Sequence, residues 1–312
     1  MKHRLGRNDL ELLCVVAFWA FNVTVVKMSL REMEPLAFNI IRFVGASVVL
    51  LGLTWWLEDS PWIDRRDLGR LVVLGVVGHT FYQLCFVLGL ARTTASSTAL
   101  IFGASPVVVG LLSRLAGHER VGPAGAVGAL LAFYGVYLIV GGAAGPPQVH
   151  MPFHMPGPLD AAASPAGETE VLGDLLVLGA VLCWSIYTVL SKELLERHSP
   201  LKVTALSMSL GTALMALPAI PDLRRQDWNA VSGRTWAGLV YSCVFALVIS
   251  YVLWYRSVKQ VGNLRTAIYS NLVPVLGTFF GVWLLGDRLT PGLALGGCFI
   301  LAGILLTRFW GG

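Results

Sequence analysis

Of 312 residues, 55% are hydrophobic and 13% are charged. A water-soluble globular chain carries about 25% charged residues, so this chain lacks the polar groups to cover a solvated surface. Its formal net charge of +5 is then no sign of a nucleic-acid binder, because basic residues beside apolar spans report orientation in a membrane instead.

The chain opens with MKHRLGRND ahead of an apolar run that no small-residue cleavage site follows. This start is read as an uncleaved first helix rather than a signal peptide. The first span, Leu10–Met28, places Trp19 and Asn22 three residues apart on one helix face and ends at Lys27. Asn22 offers both a donor and an acceptor, so it either orients a polar solute or holds a neighbouring helix; Lys27 suits a headgroup anchor. The second span, Ala37–Leu57, follows Pro35 and carries Arg42 about six residues inside. That guanidinium either snorkels to the interface or offers a planar fork to a substrate carboxylate.

In the third span, Leu68–Leu90, His79, Tyr82, Gln83 and Phe86 fall at i, i+3, i+4 and i+7, one face of a regular helix. A polar and aromatic stripe at that depth suits a solute cavity that stacks and hydrogen-bonds, with hydrogen bonding between helices as the alternative. His79 titrates in a range that would serve a proton-coupled step; a neutral cavity or packing role is the other reading. The fourth span, Ala95–Ser113, contains Pro106, which removes a backbone donor and kinks a helix, with Ser105 beside it to take up a freed carbonyl. The fifth, Val121–Gly141, is lined by Gly122, Gly125, Gly128, Ala129 and Ala132, small residues that let helices approach closely, within the protomer or at a dimer contact.

Residues 142–172 are rich in Pro, Gly and Ala and lack Lys and Arg, and are read as a flexible external linker. His150, Met151, His154 and Met155 within it are read as solvated side chains, a soft-metal site being the alternative. The sixth span, Gly173–Ser191, repeats the first helix's face with Trp184, Tyr187 and Ser191, and Lys192 follows it. After the seventh, Leu201–Ile220, the eighth, Trp236–Val258, carries Leu247, Ser250, Tyr251 and Trp254 on one face. The ninth, Thr266–Leu285, holds Asn271 three residues before Pro274, and the tenth, Pro291–Phe309, contains Gly292 and Gly296 at G-x-x-x-G spacing. Each span is long enough for a hydrocarbon core, which needs about 20 residues. The expected fold is an all-α polytopic membrane protein with ten transmembrane helices. The five cysteines all lie in spans without a C-x-x-C pair, so neither a metal site nor a disulfide framework is expected.

The spans repeat. Trp19 and Trp184, Lys27 and Lys192, and Pro35 and Pro200 are each 165 residues apart, and Pro106 and Pro274, like Glu119-Arg120 and Asp287-Arg288, are 168 apart. Residues 10–141 and 173–309 thus form two five-span repeats. An odd number of spans makes the second enter from the opposite side, giving inverted repeats with a substrate site expected near the midplane between them. With the N-terminus inside, fifteen of the 23 Lys and Arg residues fall on the cytoplasmic side and seven outside. Both termini are therefore placed in the cytoplasm.

The W-x-x-N-x-x-x-x-K first helix, Pro35 with Arg42 seven residues on, and Pro106 with Glu119 at the end of its span resemble the EamA-type family of the drug/metabolite transporter superfamily. The resemblance covers both halves. It implies ten helices, cytoplasmic termini, and a central cavity lined mainly by the first, third and fourth helices of each repeat. It also implies transport of small metabolites, often export of amino acids or related compounds. The sequence departs from the family pattern at Ala20, where Gly follows the Trp in most members, at Ser207 opposite Arg42, and at Tyr187 opposite Asn22.

The expected activity is therefore secondary transport by alternating access in the cytoplasmic membrane of a prokaryote, with no cofactor and with lipid and a small solute as partners. Trp19, Asn22, His79, Tyr82, Gln83, Phe86, Trp184, Tyr187, Tyr251, Trp254 and Asn271 are the expected cavity residues, Pro106 and Pro274 the bends, and Arg42 a candidate anion contact. A sugar or nucleotide-sugar carrier is the alternative within the superfamily. An intramembrane enzyme is disfavoured, since neither G-x-S-x-G nor H-E-x-x-H occurs, and the absence of a G-x-x-x-x-G-K-[ST] motif removes ATP as a direct energy source.

Overall fold

The computed structural model describes residues 7–115, 123–143, 167–261, 269–270 and 272–310. Every regular element among them is helical, as a chain without water partners for its backbone requires. Seven helices are long and apolar enough to cross a membrane: Asn8–Ser29, Pro35–Leu57, Arg65–Arg92, Ala95–Leu112, Glu168–Arg197, Pro200–Arg225 and Gly233–Ser257. The three other expected spans contain shorter apolar helices, Leu130–Ile139, Val273–Leu285 and Pro291–Gly303. The protein is an all-α polytopic membrane protein.

The elements are α1 Arg7–Ser29, α2 Pro35–Leu57, α3 Leu68–Gly75, α4 Tyr82–Arg92, α5 Ala95–Phe102, α6 Ser105–Leu115, α7 Pro123–Ala143, α8 Gly167–Arg197, α9 Pro200–Arg225, α10 Gly233–Tyr241, α11 Ser250–Val261, α12 Val273–Phe280 and α13 Pro291–Trp310. Three π-helical segments interrupt the spans: Val76–Phe81 between α3 and α4, Ser242–Ile249 between α10 and α11, and Gly281–Leu285 after α12. Helix α8 starts at Gly167, so the last residues of the expected linker are helical; residues 144–166, with His150, Met151, His154 and Met155, lie outside the described residues.

The chain forms two compact units. The first comprises Met1–Thr80 and Leu190–Val273, the second Phe81–Val189 and Pro274–Gly312. Each unit draws on both halves of the sequence.

In the first unit α2 and α9 run antiparallel, and each begins with a proline at its first turn, where the missing N–H costs nothing. Each start is held by an acid near the other helix's end. Asp222 Oδ2 accepts from Leu36 N at 2.9 Å, and Glu58 Oε1 accepts from the Ser199 hydroxyl. Halfway between, Ser47 Oγ and Thr212 Oγ1 are 3.0 Å apart; these residues stand at the same 165 spacing as the repeat markers, as pairing between repeat equivalents demands. At one end of the unit Asp67 receives His198 Nε2 at 2.8 Å and Arg197 Nη1 at 3.0 Å, and Arg70 pairs with Glu193 at 2.5 Å. At the other, Gln226 Oε1 accepts from Glu34 N at 2.6 Å and Gln226 Nε2 donates to Glu32 O at 3.0 Å. Exposed tryptophans accompany both ends, Trp55, Trp56 and Trp62 with the first and Trp228 and Trp236 with the second, the residue type that collects at membrane interfaces.

The second unit is packed through small residues. A Cβ on Gly135 would lie 2.5 Å from Gly296 O, and one on Gly296 2.6 Å from Gly135 O. Gly303 makes the same close approach to Gly128 O and Ala132. The small-residue faces of the fifth and tenth spans are thus used within the protomer, α7 against α13. The helix of the fourth span, Ala95–Leu112, is interrupted by a turn. It breaks at Gly103–Ala104, just before Pro106, and Ser105 Oγ donates at 2.6 Å to Phe102 O, the carbonyl that Pro106 leaves without its N–H. Pro274 is likewise the second residue of α12, after a turn at Leu272. Both prolines follow a break in place of the smooth kink that a continuous span would show. Glu119 and Arg120 are outside the described residues, while Asp287 Oδ2 accepts from Ser96 N at 2.8 Å in the first turn of α5.

Candidate functional site

In the first unit the aromatic residues of the first and eighth spans meet. The Trp19 ring lies 4.9 Å from Trp254 and 6.1 Å from Tyr251, centroid to centroid. Trp19 Nε1 donates to Ala246 O at 3.0 Å, inside the Ser242–Ile249 π segment. A π turn shifts the backbone ladder to i→i+5 and releases carbonyls from the α pattern, and the indole takes one of them. Asn22, a turn further along α1, is buried, and its Oδ1 has no hydrogen-bond partner among the described residues.

His79 sits in the other π segment, Val76–Phe81, fully buried. Its Nε2 is 3.1 Å from Ser207 Oγ. When the Ser207 hydroxyl donates to Thr204 O at 3.3 Å, Nε2 carries the proton and donates to Ser207, an assignment set by the network. The ring lies 6.1 Å from Tyr251 and 6.3 Å from Phe43, and Gly211 packs against its Cβ so closely that no side chain fits there. His79, Tyr251 and Trp19 therefore form a continuous chain of ring contacts.

Arg42 is 1% exposed; the guanidinium does not snorkel. Nε and Nη2 donate to Asn39 Oδ1 at 2.9 and 2.6 Å, and Nη1 to Ser242 Oγ at 2.7 Å. Phe38 and Phe43 cover it at 5.4 and 5.5 Å, within cation–π range. The fork that would suit a carboxylate is turned onto Asn39 in this structure.

The second unit holds the counterpart. Trp184 lies 5.5 Å from Tyr82 and 5.8 Å from Tyr187, and Tyr82, Phe86 and Phe102 pack on one another at 5.8 to 6.2 Å. Gln83 is buried on the same helix. Since Trp19 and Trp184 are repeat equivalents, and Trp254 corresponds to Phe86, each cluster joins the first helix of one repeat to the third helix of the other. Asn271 and the Pro106 side chain lie outside what is described. Lys27 is half-buried and Lys192 exposed at their span ends.

The π segments alter one expectation. The stripe from His79 to Phe86 assumes 100° per residue throughout, and a π turn between His79 and Tyr82 breaks that phase. The segments Val76–Phe81 and Ser242–Ile249 overlap at the repeat spacing of 168, a feature that hydrophobic periodicity does not reveal. Asn39 and Ser242, which hold Arg42, and Phe102 were also unmarked in the sequence. Ser207 had one signal, its place opposite Arg42 in the repeat.

The EamA-like transporter family model matches residues 8–141 and 171–309. The chain belongs to the EamA-like transporter family. An uncharacterized transporter of Archaeoglobus fulgidus is 27% identical over 305 residues, covering 97% of each chain. The Arabidopsis thaliana WAT1-related protein At1g44800 is 26% identical over 285 residues, covering 86% of this chain and 75% of that one. The S-adenosylmethionine/S-adenosylhomocysteine transporter of Chlamydia trachomatis is 24% identical over 294 residues, covering 92% and 85%. A solved crystal structure with 19% identity and a TM-score of 0.64 covers 97% of each chain and shares the fold. As an EamA-like protein, the chain is a multi-pass membrane transporter, with lipid and a small-molecule substrate as its partners.

Proposed function

We propose that this EamA-like transporter exports amino acids or closely related compounds across the cytoplasmic membrane by alternating access, with both termini in the cytoplasm. The two sequence repeats, 10–141 and 173–309, supply the elements that exchange roles. The observation that carries the reading is the pair of aromatic clusters built on the repeat-equivalent Trp19 and Trp184, Trp19 with Tyr251 and Trp254, and Trp184 with Tyr82 and Tyr187. Each offers ring faces and edges to an apolar or aromatic substituent, next to buried polar groups, Asn22 in one case and Gln83 in the other, that suit amino and carboxyl functions. Arg42, with His79 nearby through Phe43, is the candidate contact for a carboxylate, reached if the guanidinium exchanges Asn39 for solute. The π segments at matching positions support bending of the third and eighth spans, and the breaks ahead of Pro106 and Pro274 support bending of the fourth and ninth. The protein acts as a carrier and no catalytic step is assigned to it. The named Chlamydia relative adds S-adenosylmethionine, an amino acid bearing a planar purine, to the substrate class to be tried.

The deciding experiment is counterflow. Purified protein in liposomes loaded with unlabelled solute takes up the labelled form of at least one amino acid or S-adenosylmethionine, and protein-free liposomes do not. Exchange with none of that panel would reject the substrate class.

A further inference from the structure

The start of α8 carries an acid that the transport reading above leaves unused. Asp174 lies seven residues past Gly167 and is 0% exposed. Its Oδ1 accepts a hydrogen bond from Thr93 Oγ1 at 2.5 Å, and its Oδ2 is buried with no partner among the described residues. The surroundings are tight. A Cβ on Gly89 would lie 2.9 Å from Gly173 O, and one on Gly173 2.9 Å from Thr93 N and from the Arg92 backbone. The end of α4 and the start of α8 are thus in backbone contact, and the Asp174–Thr93 pair sits in that contact.

The charged groups around it do not neutralise it. Glu170 is one turn earlier on the same helix and repels a second negative charge. Arg92, across the contact, donates through Nη1 to Leu88 O at 2.7 Å on its own helix. Asp287 is committed to Ser96 N. A buried carboxylate with one hydrogen bond and no cation on it among the described residues is costly, and adding a proton removes the charge. Thr93 fits both forms, because its hydroxyl donates to a carboxylate and accepts from a carboxyl.

We propose that Asp174 is a proton-binding site of this transporter, loaded and unloaded within the transport cycle, with Thr93 as its positioning residue. A proton from water adds to Oδ2 in one stage and returns to water in another; no other bond changes. The inference rests on the carrier reading above, and it assigns the coupling role to a carboxyl on the sixth span.

The test is an infrared pH titration of the purified protein in liposomes, comparing the parent with Asp174→Asn. A carboxylic-acid C=O band should be present in the parent at low pH, fade as pH rises, and be missing from the variant. Thr93→Val should move the midpoint of that change without abolishing it. Bands identical in parent and Asp174→Asn at every pH, or an Asp174 band that never changes with pH, would overturn the proposal. If Asp174→Asn does not fold, the Thr93→Val midpoint decides: an unmoved midpoint overturns it. In transport, Asp174→Asn should keep counterflow but lose at least tenfold in net flux driven by an imposed pH gradient; equal loss of both marks a structural role and rejects the site. The titration needs no substrate, so a parent that titrates yet exchanges nothing would separate failure of the substrate class from failure of the proton site.

Discussion

The Trp19 cluster of the first unit and the Trp184 cluster of the second occupy repeat-equivalent positions, yet they sit in different surroundings. Trp19 is tied by a hydrogen bond to a carbonyl of a π segment, in a unit with two buried polar groups, His79 with Ser207 and Arg42 with Asn39 and Ser242. Trp184 lies among rings, Tyr82, Tyr187 and, through Tyr82, Phe86 and Phe102, in a unit whose helices close through glycine. The repeat thus matches the helices that the clusters join, the first of one repeat with the third of the other, and not the individual ring pairs. What surrounds them depends on which elements each unit collects: the second and seventh spans, with Arg42 and Ser207, both belong to the first unit. Equivalent positions in two repeats therefore need not share a function.

The largest expected effect tests whether both units depend on close packing. Gly211→Leu in the first unit and Gly135→Leu in the second each force a side chain into backbone at 2.6 Å or less. Overpacking of this kind costs about 1–3 kcal/mol and at times more. Both variants should melt well below the parent in detergent; an unchanged melting temperature for one would show that its helices separate freely. Next, Ser242→Ala removes an acceptor from the buried Arg42, a charged hydrogen bond worth about 1.5–3 kcal/mol. Thermal unfolding should register it, and a neutral result would mean that Asn39 and the Phe38 and Phe43 rings suffice.

Trp19→Ala and Trp184→Ala then ask whether the two clusters serve the solute equally. Each should raise the counterflow half-saturation concentration about tenfold, equivalent to about 1.4 kcal/mol of binding. A rise in only one variant would assign solute contact to that unit. The smallest effect concerns the first unit's polar end. Ser232 N–H and the Thr235 and Ser232 hydroxyls donate to the Glu32 carboxylate and hold it below the ordinary glutamate value of 4.5. A lowered folded value means that stability is fully present above the unfolded value and is lost as pH falls through the folded one. Glu32→Gln should therefore melt slightly below the parent at pH 7 and converge with it as pH drops below about 4. The difference is small because the group is exposed and screened. A constant difference at all pH values would remove the carboxylate's charge from the explanation.

Much of the candidate site was legible one residue at a time and little of it as an arrangement. Trp19 and Trp184 stood out as aromatic residues repeated 165 apart and Phe86 and Trp254 as aromatic residues repeated 168 apart, while Tyr82, Tyr187 and Tyr251 stood out only by sharing a helix face with them. Which ring meets which did not, since the first helix of each repeat pairs with the third of the other, and a single helix's periodicity carries no information about its neighbour. Arg42 was visible as a charge inside a span, but its partners were not: Asn39 and Ser242 are ordinary polar residues until α2 and the π segment bring them within 3 Å. Asp174 was unmarked in the sequence, and its burial depends on Gly89 and Gly173 in two helices.

The sequence by itself determined the solvent, the helical class and the recurrence of Trp, Lys and Pro at a spacing of 165, because hydrocarbon permits a spanning chain only helices or closed barrels and because composition and spacing are one-dimensional properties. Tertiary structure alone decided the division into two units that each draw on both halves of the chain, the π turns, the breaks ahead of the prolines and the pairing of buried polar groups. Those follow from contacts between residues far apart in the chain, as Trp19 and Ala246 are at a separation of 227. Their energies depend on distances of a few tenths of an ångström that close packing sets.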